Sequence, residues 1–169
     1  GGSFIDVGIH FVDMMVNLGG FPERVHAIQL PKVFEGLDGE DGVLMTARLP
    51  NGAVGETMCT RAPPSPSATE SVTVTGSEGR LIFTPDGSVM VFETTKDTTQ
   101  VSWPVAHRGI RAMLSEFHNA VLEDRQPLMS GLEGTRDLAV VITAYESAHT
   151  GETVAVSSPY PAFPAFLAR

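Results

Sequence analysis

Val43, Met45, Ala47 and Leu49 alternate with Leu44, Thr46 and Arg48, and the run stops at Pro50-Asn51-Gly52. A period of two places successive side chains on opposite faces, as in a strand with one face buried. The Pro-Asn-Gly stop is a turn signal, so residues 53–60 are expected to return as the hairpin partner. The same punctuation repeats along the chain. Residues 24–31, 70–75, 80–84, 88–94 and 100–104 read as short strands. Their turns fall at Gly76-Ser77-Glu78-Gly79, at Pro85-Asp86-Gly87 and at roughly 95–99. Such spacing predicts an antiparallel meander. Between the first two strands, residues 32–42 carry Gly36, Gly39 and Gly42 with Glu35, Asp38, Glu40 and Asp41. This reads as a solvated acidic loop rather than a calcium site. The Pro/Ser stretch at 61–69 reads as an excursion within one domain.

The period changes at both ends of this run. Residues 4–18 are apolar nearly all round and stop at Gly19-Gly20 and Pro22, which predicts a buried helix. Ile110, Met113, Leu114, Phe117 and Val121 follow helical spacing over about 109–124. Pro127 bars extension of that helix. Ser130 and Glu133 have capping-box spacing. Leu138, Val141, Ile142 and Tyr145 are expected to line one face of the next helix, closed by Gly151, with a short edge strand at 154–156. The resulting class is α+β: a large antiparallel-rich mixed sheet with helices packed on one face. The other sheet face needs a cover, so self-association across it is expected. Residues 157–169, with three prolines among Tyr160, Phe163 and Phe166, form a separate Pro/aromatic tail.

At 169 residues with a net charge of −9, the chain can bury a core but lacks the basic surface that nucleic acid or an anionic membrane rewards. No apolar run approaches the ~18 residues of a membrane span, and no basic-then-apolar leader opens the chain. The lone Cys59 excludes an internal disulfide and reads as a reduced strand thiol. A cytoplasmic home is the expectation. The chain begins at Gly1 directly inside a patterned segment, which raises the expectation of a fragment of a longer protein.

The chemistry-bearing feature is a narrow stripe on the first helix. Asp6, His10, Asp13 and Asn17 are spaced four, three and four. At roughly 100° per residue they span about 60° of arc. Buried carboxylates and imidazoles are costly, so they are usually partnered or used. The spacing alone leaves three readings open. In the first, the stripe meets only water or a neighbouring helix. In the second, His10 accepts a proton beside the Asp6 carboxylate. In the third, His10, Asp6 and Asp13 begin a metal site that needs further ligands. His26, His107, His118 and His149 read as solvated or structural. Arg61 and Arg108 flank loops and could bind an anion. No G-x-G-x-x-G, Walker loop or Cys/His metal set is present.

Residues 1–13, Gly-Gly-Ser-Phe-Ile-Asp-Val-Gly-Ile-His-Phe-Val-Asp, resemble the segment that opens the C-terminal domain of the Gfo/Idh/MocA oxidoreductases. That segment reads Gly-Gly-Gly-x-x-x-Asp-x-Gly-x-His-x-x-Asp, and its first glycine would precede residue 1. Leu49 to Gly55 resembles the family's central hairpin, and Gly76 to Leu81 its next strand pair. Phe117 to Val121 and Gly134 through Gly151 resemble its closing helices. The resemblance covers residues 1–156. It implies a glyceraldehyde-3-phosphate dehydrogenase-like C-terminal domain that binds substrate and oligomerises, preceded in the whole protein by a Rossmann domain holding NAD or NADP. It implies Asp6 and His10 as catalytic residues; Asp13 and Arg61 are expected to bind the substrate. No cofactor is expected on this chain alone, which should be inactive without the Rossmann domain. The substrate implied is a sugar, cyclitol or related polyol. An NAD-dependent glycosidase and a non-catalytic binding or assembly module are the alternatives on the same fold.

Overall fold

The computed structural model describes residues 1–35, 38–61, 72–84, 88–103 and 109–157. These form three helices and eight strands in two compact units. The Pro/aromatic tail expected from the sequence lies, but for residue 157, outside the described residues, as do most of the Pro/Ser stretch, His107 and Arg108.

The first unit comprises Gly1–Pro64 with Met129–Arg169. It opens with a π-helical turn, Phe4–Gly8, that runs directly into α1, Ile9–Gly19. The strands β1 (Arg24–Gln29), β2 (Gly42–Arg48), β3 (Val54–Thr60) and β8 (Val154–Ala155) make an antiparallel sheet in the order β3-β2-β1-β8. The β2–β3 turn is the one the sequence marks. Gly52 sits at φ +82°, and the Ala53 amide donates to Asn51 Oδ1 at 3.0 Å. The helix α3, Gly131–Thr150, packs on β1 and on α1. Its start is the expected capping box of Ser130 and Glu133, and its end is Gly151 at φ +74°. The core lies between sheet and helices. Phe4, Val12 and Val16 meet Val25, Ala27, Val43, Met45 and Cys59 from the sheet and Val140, Val141 and Ala144 from α3.

Two helical readings change here. The N-terminal helix is not buried all round. Only the line Phe4, Gly8, Val12, Val16 is buried, while Met14 and Leu18 face solvent. A four-residue period suffices to hold one helix edge on the sheet. The face of α3 is also rotated from its expected position. Leu138 and Ile142 are exposed, and the buried residues are Arg136, Asp137, Val140, Val141, Thr143, Ala144 and Ser147. Four of those seven are polar, so hydrophobicity gives the wrong phase.

The second unit spans Ser65–Leu128. Its strands β4 (Val72–Gly76), β5 (Gly79–Phe83), β6 (Val89–Glu93) and β7 (Thr98–Ser102) form an antiparallel meander in chain order. The helix α2, Gly109–Leu122, ends where Arg125 Nη1 meets Glu116 Oε1 at 2.6 Å. Among the described residues no helix is long and apolar enough to cross a membrane.

Candidate functional site

The first turn of an α-helix leaves amide N–H groups without partners. Here a distant carboxylate closes them. The Ser3 and Phe4 amides donate to Glu40 Oε2 and Oε1 at 3.0 and 2.9 Å. The Ile5 amide donates to Tyr145 Oη at 3.1 Å, and that hydroxyl donates to Glu40 Oε1 at 2.6 Å. Burial, then the hydrogen bond to Glu40, pushes the Tyr145 phenol up to about 12, so it stays a donor. A negative charge at a helix N-terminus is also favoured by the helix dipole. The Phe4 ring packs edge-on against Tyr145, with centroids 6.3 Å apart. Gly8 makes room for it, since a Cβ there would lie 2.3 Å from the ring.

This closure corrects the reading of the acidic loop. Glu40 and Asp41 are buried, not solvated. Asp41 accepts the Phe34 amide at 2.7 Å and also the Val33 amide. The Phe34 amide, with that of Val33, holds its carboxyl below the usual carboxylate range. Carboxylates leave water when backbone N–H groups replace it, and the pairing partners here are remote in sequence.

Beside the capped turn lies a cleft of about 380 Å³ lined by Gly1, Gly2, Ile5, Asp6, Gly39, Glu40 and Arg61. Asp6 and Arg61 form an ion pair on it, both side chains well exposed. The sequence singled out these two residues separately, and the fold brings them together. His10 follows one turn later, exposed on the same helix. Among the described residues no hydrogen bond joins it to Asp6. Asp13 is half-buried and accepts Asn17 Nδ2 at 2.7 Å. Burial raises Asp13 above its ordinary value, against lowering by Asn17, Asp137 and the charge of His10. Burial, then the charge and hydrogen bond of Asp13, pushes Asp137 up to about 7.

The sequence reading therefore missed Glu40, Tyr145 and Asp137 as partners of this region. Only the resemblance to a closing helix touched the segment that holds Asp137. Among the described residues no group of three or more His, Cys, Asp and Glu is placed to hold a metal ion. A dinucleotide pyrophosphate is commonly held at an open helix N-terminus. Those of α1 and α3 are closed by Glu40 and Ser130. These residues do not fit that cofactor's phosphates.

A capped helix laid over a sheet, presenting an exposed imidazole and an ion pair beside a cleft, defines an α+β domain with a polar face. The chain belongs to the Gfo/Idh/MocA oxidoreductases: residues 1–156 match the family model described as "Oxidoreductase family, C-terminal alpha/beta domain". No curated protein sequence matches it significantly. Solved structures share its fold. Aldose-aldose oxidoreductase from Caulobacter crescentus, complexed with glycerol, is 23% identical with a TM-score of 0.79, over 92% of this chain and 48% of its own. Levoglucosan dehydrogenase, complexed with NADH and levoglucosan, is 22% identical with a TM-score of 0.79, over 90% and 50%. The WlbA dehydrogenase from Bordetella pertussis, with NADH and UDP-GlcNAcA, is 22% identical with a TM-score of 0.74, over 93% and 47%. The chain spans about half the length of these proteins.

Proposed function

We propose that this chain is the substrate-binding and oligomerisation domain of an NAD(P)-dependent oxidoreductase acting on a sugar, cyclitol or related polyol. The observation that carries the reading is the placement of exposed His10 one turn after Asp6 on the family's motif helix, with Asp6 ion-paired to Arg61 at the cleft. A polyol hydroxyl needs a donor, an acceptor and a base. Arg61 offers N–H groups and Asp6 accepts a hydroxyl proton's hydrogen bond. His10 takes that proton on oxidation and returns it on reduction. A nicotinamide held by an N-terminal Rossmann domain would supply or accept the hydride. The structures complexed with NADH, levoglucosan, glycerol and UDP-GlcNAcA support that chemical class. In the intact enzyme, His10→Ala should lower turnover by roughly 10²–10⁴. Unchanged turnover removes His10 from the mechanism.

The assembly part rests on the open face of the first sheet. Ile28, Leu44 and Met58 stand opposite one another across β1, β2 and β3, and Ile28 and Met58 are more than half exposed. Such a row fits a second copy. Met58→Asp should shift the protein toward monomer in sedimentation. An unshifted oligomer places the interface elsewhere.

A further inference from the structure

Ser3 occupies the cap position of the first turn, yet its side chain makes no cap hydrogen bond. Glu40 takes that role from a loop remote in sequence. Three donors meet its carboxylate: the Ser3 and Phe4 amides at 3.0 and 2.9 Å and the Tyr145 hydroxyl at 2.6 Å. The Glu40 carbonyl accepts the Ser3 amide as well, at 2.9 Å. The two segments touch so closely that neither tolerates a side chain. A Cβ on Gly2 would overlap Glu40 Oε1, and one on Gly39 would lie 2.5 Å from the Gly1 carbonyl oxygen. The next residue of the loop holds the other partner of the ion pair. The Asp41 carbonyl accepts the Arg61 amide at 2.8 Å, while the Asp41 carboxylate accepts the Val33 and Phe34 amides. Two adjacent loop residues thus hold both the turn that carries Asp6 and the backbone that carries Arg61.

The turn they hold is π-helical from Phe4 to Gly8. A π turn closes on i→i+5 hydrogen bonds, so a residue inside it is out of line with the residue four further on. In a continuous α-helix Asp6 and His10 would be surface neighbours. Here Asp6 pairs with Arg61 instead.

We propose that Glu40 is a positioning residue: its carboxylate, held by Tyr145, locks the π turn against the loop and so sets Asp6 against Arg61 at the cleft, clear of His10. The lock stands on these contacts alone, whereas its effect on turnover rests on the reading of Asp6 and His10 given above.

The test is made in the intact enzyme, at a temperature where denaturation curves show every variant folded. Glu40→Ala should lower kcat by about 10²-fold, the loss that a misplacement of roughly 1 Å brings. Val25→Ala, which trims a buried side chain of β1 that does not line the cleft, should leave kcat unchanged. Unchanged kcat in folded Glu40→Ala, or an equal fall in the Val25 control, overturns the positioning role. In an Asp6→Asn background Glu40→Ala should cost less than in the parent, because the group it places is already gone. Equal losses in both backgrounds would mean that Glu40 does not act through Asp6. A second readout is independent of turnover. The NMR signals of the Arg61 guanidinium should shift on Glu40→Ala in the direction that Asp6→Asn shifts them, and parent-like signals overturn the lock itself. Should Glu40→Ala fail to fold, Glu40→Gln keeps the length and one acceptor oxygen and should show the same changes at smaller size. Failure of the His10→Ala test removes the link to turnover but leaves the Arg61 signals to decide the lock, so the two failures are distinct.

Discussion

In the first unit Phe4, Val12, Val43, Met45, Val140 and Val141 have no exposed surface, whereas among the described residues of the second unit Ala120 alone is buried. Both units are built from antiparallel strands with a helix, and both carry ample apolar side chains. They differ in whether two layers close on one another. The sheet of the first unit holds α1 and α3 on one face, so alternate residues of β1, β2 and β3 disappear from solvent. In the second unit β6 is half-buried at every position and β7 exposed throughout. Ile110, Met113, Leu114, Phe117 and Val121 of α2 are all more than half exposed. Closed packing makes one unit rigid enough to hold a cap and an ion pair in place. The chemistry-bearing residues found here all belong to that unit.

The largest expected effect follows from Phe4. Its ring is wholly buried between Gly8, Tyr145 and the sheet. Truncation removes the transfer energy and leaves a cavity, so Phe4→Ala should cost about 3–5 kcal/mol in chemical denaturation. A loss under about 1 kcal/mol would mean that the N-terminal turn is not docked in solution, and the contrast between the units would fail.

A smaller effect tests the cap rather than the core. Tyr145→Phe keeps the ring packed but deletes one hydroxyl that serves both the Ile5 amide and Glu40. Leaving a half-buried amide and a buried carboxylate short of a partner should cost about 1–2 kcal/mol. Proton exchange at the Ile5 amide should quicken in the same variant. No change in either would mean that water replaces the hydroxyl and that the closure is looser than the geometry implies.

These elements were unequally legible in the sequence. The strands of both units, the Asn-Gly turn and the Ser130–Glu133 box were readable because each is a local pattern: a period of two, a turn residue, a spacing of three. The sheet that holds β1 to β3 and the helix that carries His10 followed from those patterns. Glu40 and Asp137 did not. Glu40 sits in a loop rich in glycine and acid, which in isolation reads as solvated, and its partners lie about 36 and 105 residues away. Asp137 was hidden by the assumption that a buried helix face is apolar. Arg136, Asp137 and Ser147 occupy that face, so the apolar residues alone point to Leu138 and Ile142, which are exposed. Local pattern fixes elements, while buried polar pairing is a tertiary property that no single segment displays.

The smallest effect belongs to the second unit and decides whether its open surface is real. Met113 is 61% exposed within an apolar stripe on α2. Glutamine is a comparable helix former of similar length, so Met113→Gln changes polarity with little change in propensity. If the stripe faces water in solution, the substitution should move stability by no more than about 0.5 kcal/mol and should improve solubility by breaking the patch. A loss above about 1 kcal/mol that grows with protein concentration would mean the stripe is covered by another copy. A loss of that size at every concentration would mean it is covered within the chain. In both cases the second unit would have a closed layer after all, and the asymmetry between the units would lie in what covers each face rather than in whether it is covered.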